Sequence, residues 1–199
     1  MLHNTFCRRL AALVLTLAVA VSAVLPVFAV YPMPIQTATE TEAVYLFNAD
    51  TGKTLLTQNA DQPRYVASLT KMMTALLLLE SGKDLNGEVT VPTDLTQEFK
   101  DIQNANGTTM GLRIGETVRR IDLLNALLIT SANDAASVIA WDVGGSLNAF
   151  IQQMNARAAE LGCTSATFTC AHGLYDYGNV ASAEDMAKIA AACADNETF

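Results

Sequence analysis

The spacing of apolar and polar residues predicts strands first and helices afterwards. Residues 43–48 and 53–58 are rich in strand formers and flank the turn residues Asp50–Gly52, a pattern that predicts an antiparallel hairpin. The run at residues 68–80 is apolar nearly throughout and stops before Gly82, which predicts a helix buried on most sides. This part of the chain therefore combines a hairpin with a buried helix.

The middle of the chain changes pattern. Residues 88–91 predict a short strand, whereas residues 94–111 contain several Asn and Gly residues and little periodicity, which predicts a loop-rich segment. From Val118 the apolar residues recur at helical spacing, and residues 133–143 predict a second helix after an interruption near Ser131. A helical block therefore follows the strands.

Two further helices carry clear end signals. Ser146 and Gly162 flank an amphipathic run and predict its N-cap and its C-terminal stop. Ser182 predicts the N-cap of a last helix. No strand is predicted after the helical block to complete a sheet.

The N-terminus has the pattern of a secretory signal. Residues 1–9 contain two arginines and no acid, and the apolar stretch that follows is broken by Pro26. This pattern predicts a signal peptide over residues 1–29, with cleavage after Ala29; cleavage after Ala23 is a second possibility. The alternative is an uncleaved membrane anchor, because about 20 apolar residues can span a bilayer.

Charge excludes one class of function. The chain has 12 Lys+Arg against 20 Asp+Glu, a net charge of −8, and removal of the signal takes away two arginines and no acid. Nucleic-acid binding needs clustered Lys and Arg, so we expect no nucleic-acid partner. Residues 30–41 contain two prolines and predict an extended lead-in to the folded part.

Three cysteines remain after cleavage, an odd number that cannot pair completely. A bridge between Cys163 and Cys170 stays open, and Cys193 lies on an apolar helix face where a buried thiol is expected. His172 is the one histidine of the mature chain, and it lacks the usual zinc spacing to Cys163 and Cys170. We therefore expect neither a metal nor a cofactor.

Ser68 and Lys71 form the single S-x-x-K of the chain. Residues three apart share a helix face, so a desolvated Lys71 amine can take the proton of the Ser68 hydroxyl and make it a nucleophile. The motif alone is weak, because a helix N-cap followed by a solvated lysine has the same sequence.

A second motif, Ser131-Ala132-Asn133, lies between two predicted helices. It can direct a second hydroxyl and an amide into a cleft, although S-x-x-D from Ser131 to Asp134 also fits a helix N-cap. Another S-x-N begins at Ser146, where the cap interpretation fits better because an amphipathic helix starts immediately.

The matches around these motifs resemble the serine D-alanyl-D-alanine carboxypeptidases, which are low-molecular-mass penicillin-binding proteins of the penicillin-recognising serine enzymes. The resemblance covers residues 42–195. The matching segments are the leading hairpin, residues 67–75, 122–128 and 131–135, Met154–Asn155, Leu161–Gly162, Phe168 and His172–Leu174. It implies an α+β fold of the β-lactamase and DD-peptidase type, with an antiparallel sheet and a helical subdomain.

The resemblance also implies a reaction on peptidoglycan stem peptides. Ser68 would attack the penultimate D-Ala carbonyl, Lys71 would be its general base, and Ser131 would pass a proton to the leaving amine. Asn133 would hold the acyl side of the substrate, and β-lactams would acylate the same serine as inhibitors. The segment His172–Leu174 is interpreted as structural or site-lining.

One family motif is missing. The K-T-G of the family lies on a strand after the last helix, but the single Lys-Thr here, Lys53–Thr54, is followed by Leu55 and precedes Ser68. We therefore expect residues 42–199 to be the N-terminal portion of the catalytic domain, cut before K-T-G and inactive alone. A membrane-associating C-terminal region would lie beyond it.

Two other functions remain as alternatives. A β-lactamase shares the serine and lysine, but no E-x-x-L-N follows the S-x-N here. A non-catalytic cell-wall-binding or regulatory protein is the other. In each case the signal predicts export to the cell envelope.

Overall fold

A computed structural model of the protein describes residues 41–174 and 176–199. These residues belong to the unit Thr37–Phe199 of the chain. The predicted signal peptide, residues 1–29, and nearly all of the lead-in, residues 30–41, lie outside the described residues. Both stay predictions.

The leading hairpin is confirmed. Strand β1 (Val44–Phe47) pairs antiparallel with β2 (Thr54–Gln58), with Val44 opposite Gln58. Gly52 in the turn has φ +67°, a backbone conformation that glycine adopts without a steric penalty.

Two more antiparallel pairs join segments that are distant in sequence. Strand β3 (Arg64–Tyr65) pairs with β6 (Val180–Ala181), and β4 (Glu88–Thr90) pairs with β5 (Thr117–Arg119). Val118, predicted in a helix, instead lies opposite Val89 in this last pair. Strand β6, which lies between two helices of the helical block, was not predicted from the sequence.

Six helices of the described residues surround the core. They are α1 (Thr70–Glu80), α2 (Thr96–Asn104), α3 (Arg120–Ile129), α4 (Asn133–Gly144), α5 (Leu147–Glu160) and α6 (Ala183–Ala194). The predicted caps are confirmed, since Ser146 Oγ accepts from Ala149 N and Ser182 Oγ accepts from Asp185 N, both at 3.1 Å. Gly162 follows α5 with φ +75°.

Helix α2 corrects the prediction of a loop-rich segment at residues 94–111. Its sequence, TQEFKDIQN, is mostly polar, so apolar density alone does not reveal it. Leu95, Phe99 and Ile102 nevertheless recur at intervals of four and three residues, and Leu95 and Ile102 are buried. Leu95 just before the helix and Phe99 and Ile102 within it therefore form the apolar edge that packs against the domain.

Helix α1 is the central element, since it packs against α3, α4, α5 and α6. Most of its side chains are buried, as its apolar sequence predicts. The core around it includes Met73, Leu76, Leu78, Leu123, Leu127, Ile139, Phe150, Met154 and Ile189. Burial of such side chains is the main stabilising contribution to the fold. A functional group at the start of α1 is consequently held on rigid support.

All three cysteines are free thiols: Cys163, Cys170 and Cys193. The disulfide between Cys163 and Cys170 that the sequence left open is therefore not formed. Cys193 is fully buried, as expected. Over residues 41–174 and 176–199, no helix has the length and hydropathy needed to cross a bilayer.

Candidate active site

Ser68 lies in a short 3-10 turn, Ala67–Leu69, immediately before α1. Its side chain is exposed, and neither this turn nor α1 has a side-chain hydrogen bond at its N-cap. Ala67 has φ +46°, a left-handed conformation that is costly for a residue with a Cβ and that is often found at functional sites. The structure therefore presents Ser68 to solvent instead of using it as a helix cap.

Lys71 is the opposite case, a buried charge-bearing residue with only 3% of its surface exposed. Its Nζ lies 3.3 Å from Ser68 Oγ, 2.8 Å from Asn133 Oδ1 and 2.6 Å from the backbone oxygen of His172. The alternative of a solvated lysine is thus excluded.

Burial controls the protonation of this amine. Removal from water lowers the pKa of Lys71 from 10.5 to about 8, against a smaller raising effect from Cys170. A protonated amine donates to all three oxygens, whereas a neutral amine keeps two N–H groups for the oxygens of Asn133 and His172 and turns its lone pair to the Ser68 hydroxyl. The geometry therefore fits a lysine that accepts the serine proton.

Ser131 brings a second hydroxyl to the same place. It lies between α3 and α4, and its Oγ is 3.0 Å from Ser68 Oγ. Its φ is +57°, and the N-cap of α4 is Ala132, without a side-chain cap. The capping alternative for Ser131 is therefore wrong, and its unusual backbone conformation is associated with its position beside Ser68.

Asn133 connects Lys71 to the loop that follows α2. Its Nδ2 donates to the Thr108 oxygen at 3.0 Å, and its backbone N–H donates to the same oxygen at 2.8 Å. The neighbouring Asp134 accepts backbone N–H bonds from Met110, Gly111 and Leu112, each at 3.0 Å. The start of α4 thus fixes both the amine and one side of the site.

The segment Cys170–Gly173 forms the other support, and sequence reasoning identified it only as structural or site-lining. Besides the His172 oxygen on Lys71, the Ala171 oxygen accepts from Thr74 Oγ1 at 2.6 Å. Gly173 has φ +78°, and a Cβ there would collide with the Ala67 carbonyl group. These contacts are made by backbone atoms, which no residue type identifies in a sequence. The resemblance of His172–Leu174 to the family was therefore the one sequence signal that pointed to this segment.

A cavity of about 360 Å³ opens at this cluster. Ser68, Lys71 and Ser131 lie on its wall, together with the apolar residues Met72 and Leu127. Over the described residues, no group of three or more His, Cys, Asp or Glu side chains is arranged to hold a metal ion.

The structure thus brings all four predicted site residues, Ser68, Lys71, Ser131 and Asn133, into one hydrogen-bonded group. An exposed serine beside a buried amine of lowered pKa, with a second hydroxyl in contact, is the arrangement that serine enzymes with a lysine base use for acyl transfer.

Comparison with known proteins defines the family. The model of the D-alanyl-D-alanine carboxypeptidase family matches residues 31–198, so the chain belongs to this family. The D-alanyl-D-alanine carboxypeptidase DacF of Bacillus subtilis is 33% identical over 153 residues, which are 77% of this chain and 39% of that protein. A D-alanyl-D-alanine endopeptidase of Pseudomonas aeruginosa is 32% identical over 175 residues, or 88% of this chain and 54% of the relative.

Comparison with solved structures points to the same group of proteins. The crystal structure of the Streptomyces K15 DD-transpeptidase matches with a TM-score of 0.71 at 32% identity, over 79% of this chain and 62% of that chain. The expected DD-peptidase-like α+β fold is therefore confirmed. The chain spans 39% to 54% of the length of the two curated relatives named above.

Proposed function

We propose that the protein is an exported serine D-alanyl-D-alanine carboxypeptidase, which removes the terminal D-Ala from peptidoglycan stem peptides. The observation that supports this most is the buried Lys71 amine, which lies 3.3 Å from the hydroxyl of an exposed Ser68. Membership of the D-alanyl-D-alanine carboxypeptidase family supports the proposed substrate class.

Acylation would begin at Ser68. Its Oγ attacks the carbonyl carbon of the penultimate D-Ala as the proton moves to the Lys71 lone pair. Ser131 Oγ, 3.0 Å from Ser68 Oγ, passes a proton to the leaving amine, and the terminal D-Ala departs. Backbone N–H groups, that of Ser68 among them, stabilise the oxyanion. Water then hydrolyses the acyl-enzyme.

Asn133 would act at two points of this cycle. In the structure both ends of the Asn133 side-chain amide are already hydrogen-bonded within the protein: Oδ1 accepts from Lys71 Nζ, and Nδ2 donates to the Thr108 oxygen. We propose that it holds the base and, by exchanging its Thr108 contact for a substrate carbonyl, orients the acyl side of the peptide. β-Lactams, whose ring carbonyl takes the place of the D-Ala carbonyl, would acylate Ser68 in the same way.

Further proposals concern the parts of the protein outside residues 41–199. The signal at residues 1–29 would direct export, with the enzyme working in the cell envelope. A K-T-G strand encoded beyond Phe199 would close the cleft and bind the substrate carboxylate, and a region beyond it would associate with the membrane. Residues 30–199 made alone should then release no D-Ala, whereas turnover by that fragment would overturn this proposal.

The proposed activity is tested with the full-length gene product. We expect it to release free D-Ala from a peptide that ends in D-Ala-D-Ala, and we expect Ser68→Ala to abolish release while circular dichroism stays unchanged. Release that persists in Ser68→Ala would refute the mechanism. Rapid hydrolysis of penicillin without D-Ala release would favour the β-lactamase alternative, and neither reaction would favour a non-catalytic role.

A further inference from the structure

The segment that supports Lys71 is itself held by the side chain of His172. The backbone oxygen of His172 lies 2.6 Å from Lys71 Nζ, while its imidazole Nε2 lies 3.0 Å from Glu98 Oε1 on helix α2. His172 Nδ1 accepts the Leu174 N–H at 3.0 Å, so the ring proton is on Nε2, which donates to the Glu98 carboxylate. Hydrogen bonds at both ring nitrogens therefore fix the residue whose oxygen holds the amine.

Glu98 has a second partner, which lies on the opposite support of the amine. Ser137 Oγ donates to the same Glu98 oxygen at 3.0 Å, and Ser137 is fully buried on helix α4. Ser137 lies about one helical turn after Asn133, whose Oδ1 is 2.8 Å from Lys71 Nζ. The contacts thus form a closed ring that runs from Lys71 through Asn133, Ser137 and Glu98 to His172 and back to Lys71.

This bridge between the two supports is largely shielded from water. Only 10% of the His172 side chain and 24% of the Glu98 side chain are exposed. The hydrogen bond from His172 lowers the pKa of Glu98 and outweighs burial, which raises it, so the carboxylate is charged at neutral pH and is a strong acceptor. Glu98 does not line the cavity at Ser68.

We propose that Glu98 is a positioning residue for the acyl transfer: its carboxylate ties His172 to helix α4 and thereby keeps the two oxygens that hold Lys71 at a fixed separation. Loss of the carboxylate leaves the His172 Nε2–H and the Ser137 hydroxyl without their shared acceptor, so the His172 oxygen can move relative to the amine. A shift of about 1 Å in a reacting group can slow a reaction by as much as about a hundredfold. The proposal rests on the proposed function.

The first test uses the full-length gene product and fluorescent penicillin at several concentrations, which separates the binding constant from the acylation rate constant. Glu98→Ala should lower the rate constant about tenfold and leave the binding constant unchanged. Glu98→Gln keeps an oxygen acceptor at the Oε1 position and should stay within about twofold of the wild type. A wild-type rate in Glu98→Ala, or an equal loss in Glu98→Gln, would overturn the proposal.

Two further variants complete this test. Asp101→Ala is the matched control on the same helix, because Asp101 is exposed and accepts from Gln97, and it should be acylated at the wild-type rate. Ser137→Ala removes a single hydroxyl from the bridge and should slow acylation about threefold. A wild-type rate in Ser137→Ala would overturn the proposal even if Glu98→Ala does not fold.

The second test needs no reaction. Nitrogen-15 NMR follows the Lys71 amine, whose signal is assigned by its loss in Lys71→Met. The His172 oxygen favours the charged amine, so its displacement in Glu98→Ala should lower the pKa of Lys71, whereas Glu98→Gln should not. Cys170, which also acts on the pKa of Lys71, is the same in both variants.

The two measurements separate the two proposals. A pKa of Lys71 in Glu98→Ala that equals or exceeds that of the wild type would overturn the role of Glu98. If the wild-type protein takes no penicillin label, the proposed function fails, while the NMR titration still decides whether Glu98 positions the amine.

Discussion

At the scale of single residues, the protonation state of Lys71 sets when the proposed acyl transfer at Ser68 can begin. The three oxygen partners of Lys71 accommodate both the protonated and the neutral amine, and the lowered pKa of about 8 leaves roughly one amine in ten neutral at pH 7. Ser68 is exposed and Ser131 adds a second hydroxyl, but neither sets the fraction of protein in which Lys71 can accept a proton. Proton occupancy of Lys71 is therefore the quantity to measure.

The rate at which a β-lactam acylates the protein should rise with pH. Since only neutral Lys71 accepts the Ser68 proton, the rate should increase about fiftyfold from pH 6 to pH 8 and level off above a midpoint near 8. Stopped-flow or gel-based labelling measures it, with circular dichroism as the control for folding. A rate that is constant from pH 6 to pH 9 would contradict Lys71 as the base.

The same pKa has a consequence for stability. The folded-state pKa of about 8 lies below the ordinary 10.5, so between these values the unfolded chain binds more protons than the folded one. The contribution of Lys71 to the free energy of unfolding should therefore rise from about pH 8 to pH 10.5. Urea titrations of the wild type and Lys71→Met compare the slopes, and equal slopes would contradict the lowered pKa.

At the scale of elements, signals that are local in sequence predicted structure well. The hairpin turn at Asp50–Gly52 and the caps Ser146 and Ser182 act on their own neighbours, and each was found as predicted. Strand β6 has two residues and exists because it pairs with β3, over one hundred residues away, so no local pattern predicts it. Helix α2 was missed because its mostly polar sequence conceals two inward-facing positions, Phe99 and Ile102.

The candidate site shows the same contrast between features that the sequence reveals and features that depend on the fold. Its side chains, Ser68 and Lys71 with Ser131 and Asn133, were predicted because motifs are made of side-chain identities. The acceptors that hold Lys71 and Asn133 in place are the backbone oxygens of His172 and Thr108, and any residue type carries such an oxygen. Position in the fold, not residue identity, makes these atoms functional.

The segment that carries His172 can be tested by a pair of glycine variants. Gly173→Ala should cost about 2–5 kcal/mol and reduce penicillin labelling, because it combines a left-handed backbone with a collision against Ala67. Gly162→Ala, with a similar φ of +75° but open space around its Cβ, should cost only about 1–2 kcal/mol and keep full labelling. Urea unfolding measures both, and equal losses would show that the packing against Ala67 is unimportant.

At the scale of the whole molecule, the fold places one support on each side of the buried amine. Helix α4 brings Asn133, the segment before β6 brings His172, and the central helix α1 carries Lys71 between them. Because α1 packs against four other helices, the geometry of the amine depends on the integrity of the entire core. The central claim is that this arrangement makes Ser68 the residue that is acylated.

That claim is tested most directly by locating the acyl group. The full-length gene product is incubated with benzylpenicillin, digested, and mapped by mass spectrometry. We expect one penicilloyl group, on the peptide that contains Ser68, and none in Ser68→Ala. An adduct on Ser131 or on another residue, or no adduct on folded wild-type protein, would contradict it.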